Sequence, residues 1–150
     1  MKVAVSSDHR GYHAKERVKM ILVDRGHEVV DFGCDNETSC DYPDMAVPAA
    51  ESVGAGESDR AILICGTGLG MSIMANKVKN VRAALCHDEL TAQFARKHND
   101  ANVLCLPADL VGERLINLIV ESWLDTAFEG GRHARRLQKI SDYESRHTCP

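Results

Sequence analysis

A thiol at the end of an apolar run, followed at once by glycines, is the part of this chain best suited to chemistry. Ile62-Leu63-Ile64-Cys65 leads into Gly66-Thr67-Gly68-Leu69-Gly70-Met71-Ser72. Glycines let backbone N–H groups converge on an anion, and the positive end of a following helix favours negative charge, so a thiolate or an oxyanion is stabilised there. Three uses of such a loop compete. A dinucleotide fingerprint requires a different third-glycine spacing and an acidic ribose-binding residue further on, and this segment follows the third strand with neither. A phosphatase-like cysteine loop requires an arginine at the position that Met71 occupies. The third use is carbanion chemistry, in which Cys65 takes a proton from a carbon beside a carbonyl while the loop amides hold the enediolate oxygen. Taken alone, the loop is explained equally well as a buried strand-end cysteine beside a tight turn.

Other titratable groups recur near such turns. Asp8-His9 supplies a carboxylate and an imidazole at the end of the first strand, where Asp8 also suits a helix cap. His98-Asn99 follows the helical run ending in Ala95-Arg96-Lys97; His98 is either a partner for that helix's C-terminus or a proton carrier near neutral pH. Arg132 and Arg136, four apart, can close on one phosphate as a charge-assisted clamp, and Ser141, Asp142 and Glu144 lie beyond their ideal pairing reach. The basic segment Arg132-His133-Ala134-Arg135-Arg136 sits in a chain of net charge −4, which suits a small anion and argues against nucleic acid.

The six cysteines, at 34, 40, 65, 86, 105 and 149, form no C-x-x-C pair, and no histidine spacing of the zinc-site kind accompanies them. They read as reduced thiols, with no metal site. Cys86 and Cys105 lie in apolar runs and belong to the core. Cys34, Cys40 and Cys149 carry no evident chemistry.

These residues need a scaffold to position them. Five short apolar, β-rich runs, Val3 to Ser6, Glu28 to Phe32, Ala61 to Cys65, Arg82 to Cys86 and Asn102 to Leu106, alternate with helical stretches Gly11 to Arg25, Pro43 to Gly54, Gly70 to Lys77 and Glu89 to Lys97. That order predicts an α/β fold with a five-stranded parallel sheet covered on both faces. Ligands of such sheets bind at the carboxyl ends of the strands, which here are followed by Ser7-Asp8-His9-Arg10, Asp41-Tyr42, Gly66 to Gly70 and His87-Asp88, with His98-Asn99-Asp100 just before the fifth strand. Leu110 to Leu124 reads as an amphipathic helix with Leu115, Leu118, Ile119 and Trp123 facing core or interface. Phe128-Glu129-Gly130-Gly131 breaks the chain before a polar helix from Arg132 to His147, too poor in apolar residues to gain much from its own domain and therefore expected to dock on a partner subunit.

The length of 150 residues suits a single domain, 1–150. No apolar run approaches the roughly 20 residues of a membrane span, and the start Met1-Lys2-Val3-Ala4-Val5 is no secretory signal, so a cytoplasmic location is expected.

Together the motifs Ser7-Asp8-His9, Asp41-Tyr42-Pro43, Ile64-Cys65-Gly66-Thr67-Gly68-Leu69-Gly70 with Ser72 and Ala75-Asn76-Lys77, Arg96 to Leu104, and Phe128-Glu129-Gly130-Gly131-Arg132-His133 resemble the type B ribose-5-phosphate isomerases, a family that includes the galactose-6-phosphate isomerase subunits. The resemblance covers nearly the whole chain. It implies a Rossmann-like three-layer subunit in homodimers whose sites draw on two chains, with a tetramer left open. It also implies interconversion of ribose 5-phosphate and ribulose 5-phosphate without metal or cofactor. By matching position, Cys65 is the C–H base supported by Thr67, and the amides of Gly66, Gly68 and Gly70 hold the enediolate. Asp8 and His98 manage ring-opening protons, Asn99 and Tyr42 lie at the sugar hydroxyls, and His9, Arg132 and Arg136 bind phosphate. The chain resembles the branch with cysteine, not serine, at the base position.

Two departures stand out. Asp109 lies where the family commonly carries an arginine that reaches the phosphate, and an acid there is expected to repel it. Arg10 occupies a position that is often small, and is expected to offset the missing arginine. The alternatives are a different substrate, such as a hexose 6-phosphate, and a non-catalytic sugar-phosphate-binding protein, which could dispense with Cys65, His98 and Asp8.

Overall fold

The computed structural model describes residues 1–147; Cys149 therefore lies outside the described residues. Five parallel strands, β1 (Lys2–Ser7), β2 (Glu28–Asp31), β3 (Arg60–Cys65), β4 (Ala83–Leu85) and β5 (Val103–Pro107), form one sheet in the order β2-β1-β3-β5-β4. The helices are α1 (Tyr12–Asp24), α2 (Tyr42–Gly54), α3 (Leu69–Ala75), α4 (Glu89–Asn99), α5 (Glu113–Asp125) and α6 (Arg132–His147), with a 3-10 turn at His9–Gly11.

Alternation along the strands divides the apolar side chains between two cores. Val3, Val5, Ile62, Ile64, Leu104 and Leu106 face Val18 and Leu22 of α1, Ala92 of α4, and Ile116, Ile119 and Trp123 of α5. Ala4, Leu63, Cys65, Val103 and Cys105 face Ala46, Ala49 and Val53 of α2 and Met71 and Ala75 of α3. The result is the expected three-layer, Rossmann-like arrangement. Ile62, Leu63 and Ile64 are fully buried, each contributing about 1.5–3 kcal/mol of transfer free energy. Cys86 and Cys105 are core residues, as expected, at 1% and 0% exposure.

The chain leaves β1 toward β2 on one side and leaves β3 toward β4 on the other, so β1 and β3 flank the switch point where such sheets open a crevice. Asp8 N–H donates to Ile64 O at 3.1 Å and closes the floor between them. Gly11 follows so closely that a Cβ there would meet Ile64 O at 2.6 Å.

Several boundaries differ from expectation for local reasons. β4 is three residues long, and the Asn76 amide, accepting from Ala83 N and donating to Ala83 O at 2.9 Å each, covers its outer edge. Helix α5 begins at Glu113, because Leu110 and Val111 N–H groups turn back to Pro107 O. Helix α4 runs through His98 and Asn99 until Asp100, in the left-handed region at φ 44°, ends it. In α6 only His133 is buried. No helix among the described residues is long and apolar enough to cross a membrane.

Candidate active site

The carboxyl edge of the sheet gathers the first group of residues. Cys65 ends β3 at 5% exposure with its side chain toward α2 and α3. Gly68 adopts φ 71° at the start of α3, a conformation that costs glycine little, and its N–H donates to Cys65 Sγ at 3.1 Å. A side chain at Gly68 would run into Leu85 Cδ1 and the Leu106 backbone, so the amide reaches the sulfur only because this position is bare. Tyr42 lies so near Gly70 that a Cβ there would come within 2.7 Å of its ring. Thr67 is exposed and its hydroxyl accepts from Leu69 N at 3.4 Å.

Asp8 caps the 3-10 turn as expected, its Oδ1 accepting from Arg10 N at 2.9 Å and Gly11 N at 3.0 Å. His9 Nδ1 accepts from Cys40 N at 3.3 Å, which places the proton of the neutral ring on Nε2. Asp109, expected to repel phosphate, is paired: Arg10 Nε donates to Asp109 Oδ2 at 2.6 Å. The pair crosses directly over Gly66, where a Cβ would collide with Asp109 Oδ2 and lie 3.1 Å from Arg10 Nε. A polar cavity of about 270 Å³ opens beside it, lined by His9, Arg10, His13, Glu37 and Asp109.

The second group lies at the other end of the sheet. Helix α4 starts after β4 and returns to the amino edge before β5 begins, so His98 and Asn99 stand beside Val103, whereas Cys65 pairs with Pro107. The β5 strand puts on the order of 13 Å between those levels. Arg82 Nε donates to Asn99 O at 3.1 Å, and Glu129 N–H donates to Lys97 O at 3.1 Å, which fixes the loop before α6 against α4. Arg132 and Arg136 are exposed on α6. One chain therefore presents Asp8, His9, Arg10, Tyr42, Cys65 and the glycine loop at one edge, and His98, Asn99, Arg132 and Arg136 at the other.

Sequence reasoning assigned no role to two residues here. The His98 and His133 rings stack at 4.2 Å with 6° between planes, and Glu129 Oε2 lies 4.0 Å from His98 Nε2 and 3.8 Å from His133 Nε2. Their four-residue spacing, Glu129 to His133, was the available signal. Burial first, then His98, Arg132 and Arg136, hold His133 below its ordinary pKa, against the pull of Glu129. The donor atoms of the three residues lie within 4.8 Å of one another, near enough for a divalent ion. Near-parallel stacked ring planes, however, keep their in-plane lone pairs from converging on one ion.

A family model described as Ribose/Galactose Isomerase matches residues 3–140. The chain belongs to this family. Ribose-5-phosphate isomerase B of Escherichia coli is 44% identical over 145 residues, covering 97% of each chain. The solved ribose-5-phosphate isomerase B of Clostridium thermocellum superposes with a TM-score of 0.97 at 49% identity, covering 99% of this chain and 100% of that one. A second, from Mycoplasma genitalium with bound ribulose 5-phosphate, gives 0.93 at 43% identity, covering 98% and 97%. Within the ribose/galactose isomerase family this chain has the isomerase fold nearly end to end, carrying an Arg10–Asp109 pair at its switch-point crevice.

Proposed function

We propose that the chain is an aldose–ketose isomerase that interconverts ribose 5-phosphate and ribulose 5-phosphate through an enediolate, as a single catalytic domain in the cytoplasm. The observation that carries the reading is the Gly68 N–H donated to Cys65 Sγ at the switch point, 3.1 Å away. That donor is one of a run of loop amides, and the others are at hand for an oxyanion.

In this reading the furanose opens first. The ring oxygen gains a proton and the anomeric hydroxyl loses one, with His98 and Asp8 as the exchanging groups. Cys65 thiolate then takes the C2 proton, electrons move to the carbonyl oxygen, and the amides of Gly66, Gly68 and Gly70 hold the enediolate, with Thr67 alongside. As the proton returns to C1, the O2 hydroxyl gives up its proton and O1 takes one, which yields the ketose. His9, Arg10, Arg132 and Arg136 serve the phosphate; Asn99 and Tyr42 serve the sugar hydroxyls.

The two groups of residues sit at opposite sheet edges, so we propose a homodimer in which the amino-edge group of one protomer completes the carboxyl-edge group of its partner. The nearly unburied α6 supports this arrangement, since it has little to pack on within its own chain.

The test is isomerisation of ribose 5-phosphate in deuterated water. Wild-type protein forms ketose and exchanges the migrating hydrogen; Cys65→Ala loses about 10²-fold or more of the rate. Binding without ketose formation would identify a sugar-phosphate binder, and turnover only of hexose 6-phosphates would reassign the substrate.

A further inference from the structure

In the amino-edge group the His98 ring is held on both faces, between Phe94 at 4.8 Å and His133 at 4.2 Å. Such a sandwich fixes the ring plane but not what lies at its edge. That edge is supplied by Glu129, whose Oε2 is 4.0 Å from His98 Nε2. The backbone of Glu129 is anchored beside it, because its own N–H donates to Lys97 O at 3.1 Å, one residue from His98.

Glu129 faces two imidazoles, and the surroundings decide which one benefits. His133 is 5% exposed, and its Nε2 accepts from Arg132 Nε at 3.4 Å. A ring nitrogen accepting a hydrogen bond bears no proton, so His133 is the neutral member of the stack. Arg132 and Arg136 both disfavour a positive charge on it. The carboxylate is left to act on His98, the half-exposed ring that can reach a substrate.

We propose that Glu129, backed by His133, is the positioning residue for His98: it aims the Nε2 edge of that ring and stabilises the imidazolium formed when His98 accepts a proton during sugar ring opening. The inference rests on the ring-opening role of His98 given above. The groups facing His98 are Phe94 from its own helix and Glu129 and His133 from the loop and α6, with Arg132 and Arg136 behind His133. An imidazole whose edge faces a carboxylate is a better-directed proton carrier than a lone one.

The experiment uses full-length Glu129→Gln, His133→Asn and His98→Asn, each compared with wild type in melting temperature, in kcat/KM for ribose 5-phosphate, and in the primary isotope effect with ribose 5-phosphate deuterated at C2. Glu129→Gln keeps the shape of an exposed side chain. Its kcat/KM falls about tenfold, and the isotope effect falls toward one, or stays at one if the wild type already shows none, because ring opening now limits the rate and C2 deprotonation does not. His133→Asn moves both readouts the same way. The proposal is overturned if Glu129→Gln retains wild-type kcat/KM, or if the rate falls while the isotope effect rises or holds at a wild-type value above one, the pattern of general damage. His98→Asn separates the two levels. If it keeps the rate or raises the isotope effect, the role of His98 itself fails; if it suppresses both while Glu129→Gln does not, only the positioning role fails.

Discussion

Arg10 and Asp109 meet across Gly66, Nε to Oδ2 at 2.6 Å, joining the turn after β1 to the turn after β5 over the glycine loop. The carboxylate engages Nε, and the two terminal NH₂ groups of the guanidinium make no hydrogen bond among the described residues. A phosphate can be recognised by those groups while Asp109 keeps the arginine from folding away. Arg10→Ala is expected to raise KM for ribose 5-phosphate about tenfold with kcat nearly unchanged. Asp109→Ala raises it less, and adding Asp109→Ala to Arg10→Ala changes nothing more. Steady-state kinetics on the four proteins of this cycle checks the coupling; additive losses would show the two residues acting separately.

The split of the site between sheet edges predicts complementation. Cys65→Ala and His98→Asn protomers are each strongly impaired alone, but a mixed dimer contains one site with both wild-type residues. Unfolding and refolding an equimolar mixture should restore about a quarter of wild-type activity, since half the dimers are mixed and half of their sites intact. Activity that stays at the level of either variant would mean that each site comes from one chain.

Gly68 combines φ 71° with a bare Cα facing Leu85 and Leu106. Gly68→Ala is expected to cost about 1–3 kcal/mol of stability and to move the N–H off Cys65 Sγ. The rate should fall by more than the folded fraction does. Calorimetry alongside kcat separates the two losses.

Away from the site, Lys15 on the inner face of α1 is fully buried, and its Nζ donates to both carboxylate oxygens of Asp31 at 2.7 and 2.6 Å. Burial pushes the Asp31 pKa up, but hydrogen bonds from Lys15 and Lys19 outweigh it, so the folded value lies below the ordinary one. A depressed carboxyl stabilises the fold above its unfolded pKa and loses that contribution as pH falls through the folded value. The melting temperature should therefore decline as pH drops from about 5 toward 3. Lys15→Met, which strands Asp31 without its main partner, should cost about 2–4 kcal/mol at neutral pH and flatten this decline. Thermal melts across that pH range measure both effects.

The site was unevenly legible. Cys65 and its glycines could be read because strand, thiol and loop are contiguous, and a contiguous motif carries its own geometry. Asp8 as a cap was readable for the same reason. Arg10 and Asp109 were visible only as two oddities 99 positions apart, and nothing local indicates that opposite charges on two different turns will meet. His98 was recognisable as a proton carrier, yet a helix ending at Lys97 in the sequence pattern ends two residues later in the fold, which places His98 and Asn99 on its last turn.

The sequence by itself determined the layers and the chemistry: alternating strand and helix patterns impose a parallel sheet, and residue types impose a base, an anion loop and cations. Tertiary structure alone decided which of these groups share a space. A parallel strand has two ends some 13 Å apart, and a crossover helix carries its last turn back to the far one. That path sends His98, Asn99 and the α6 arginines away from Cys65, and it brings Glu129 and His133 onto His98, because proximity across a fold is set by where the helices return and not by spacing along the chain.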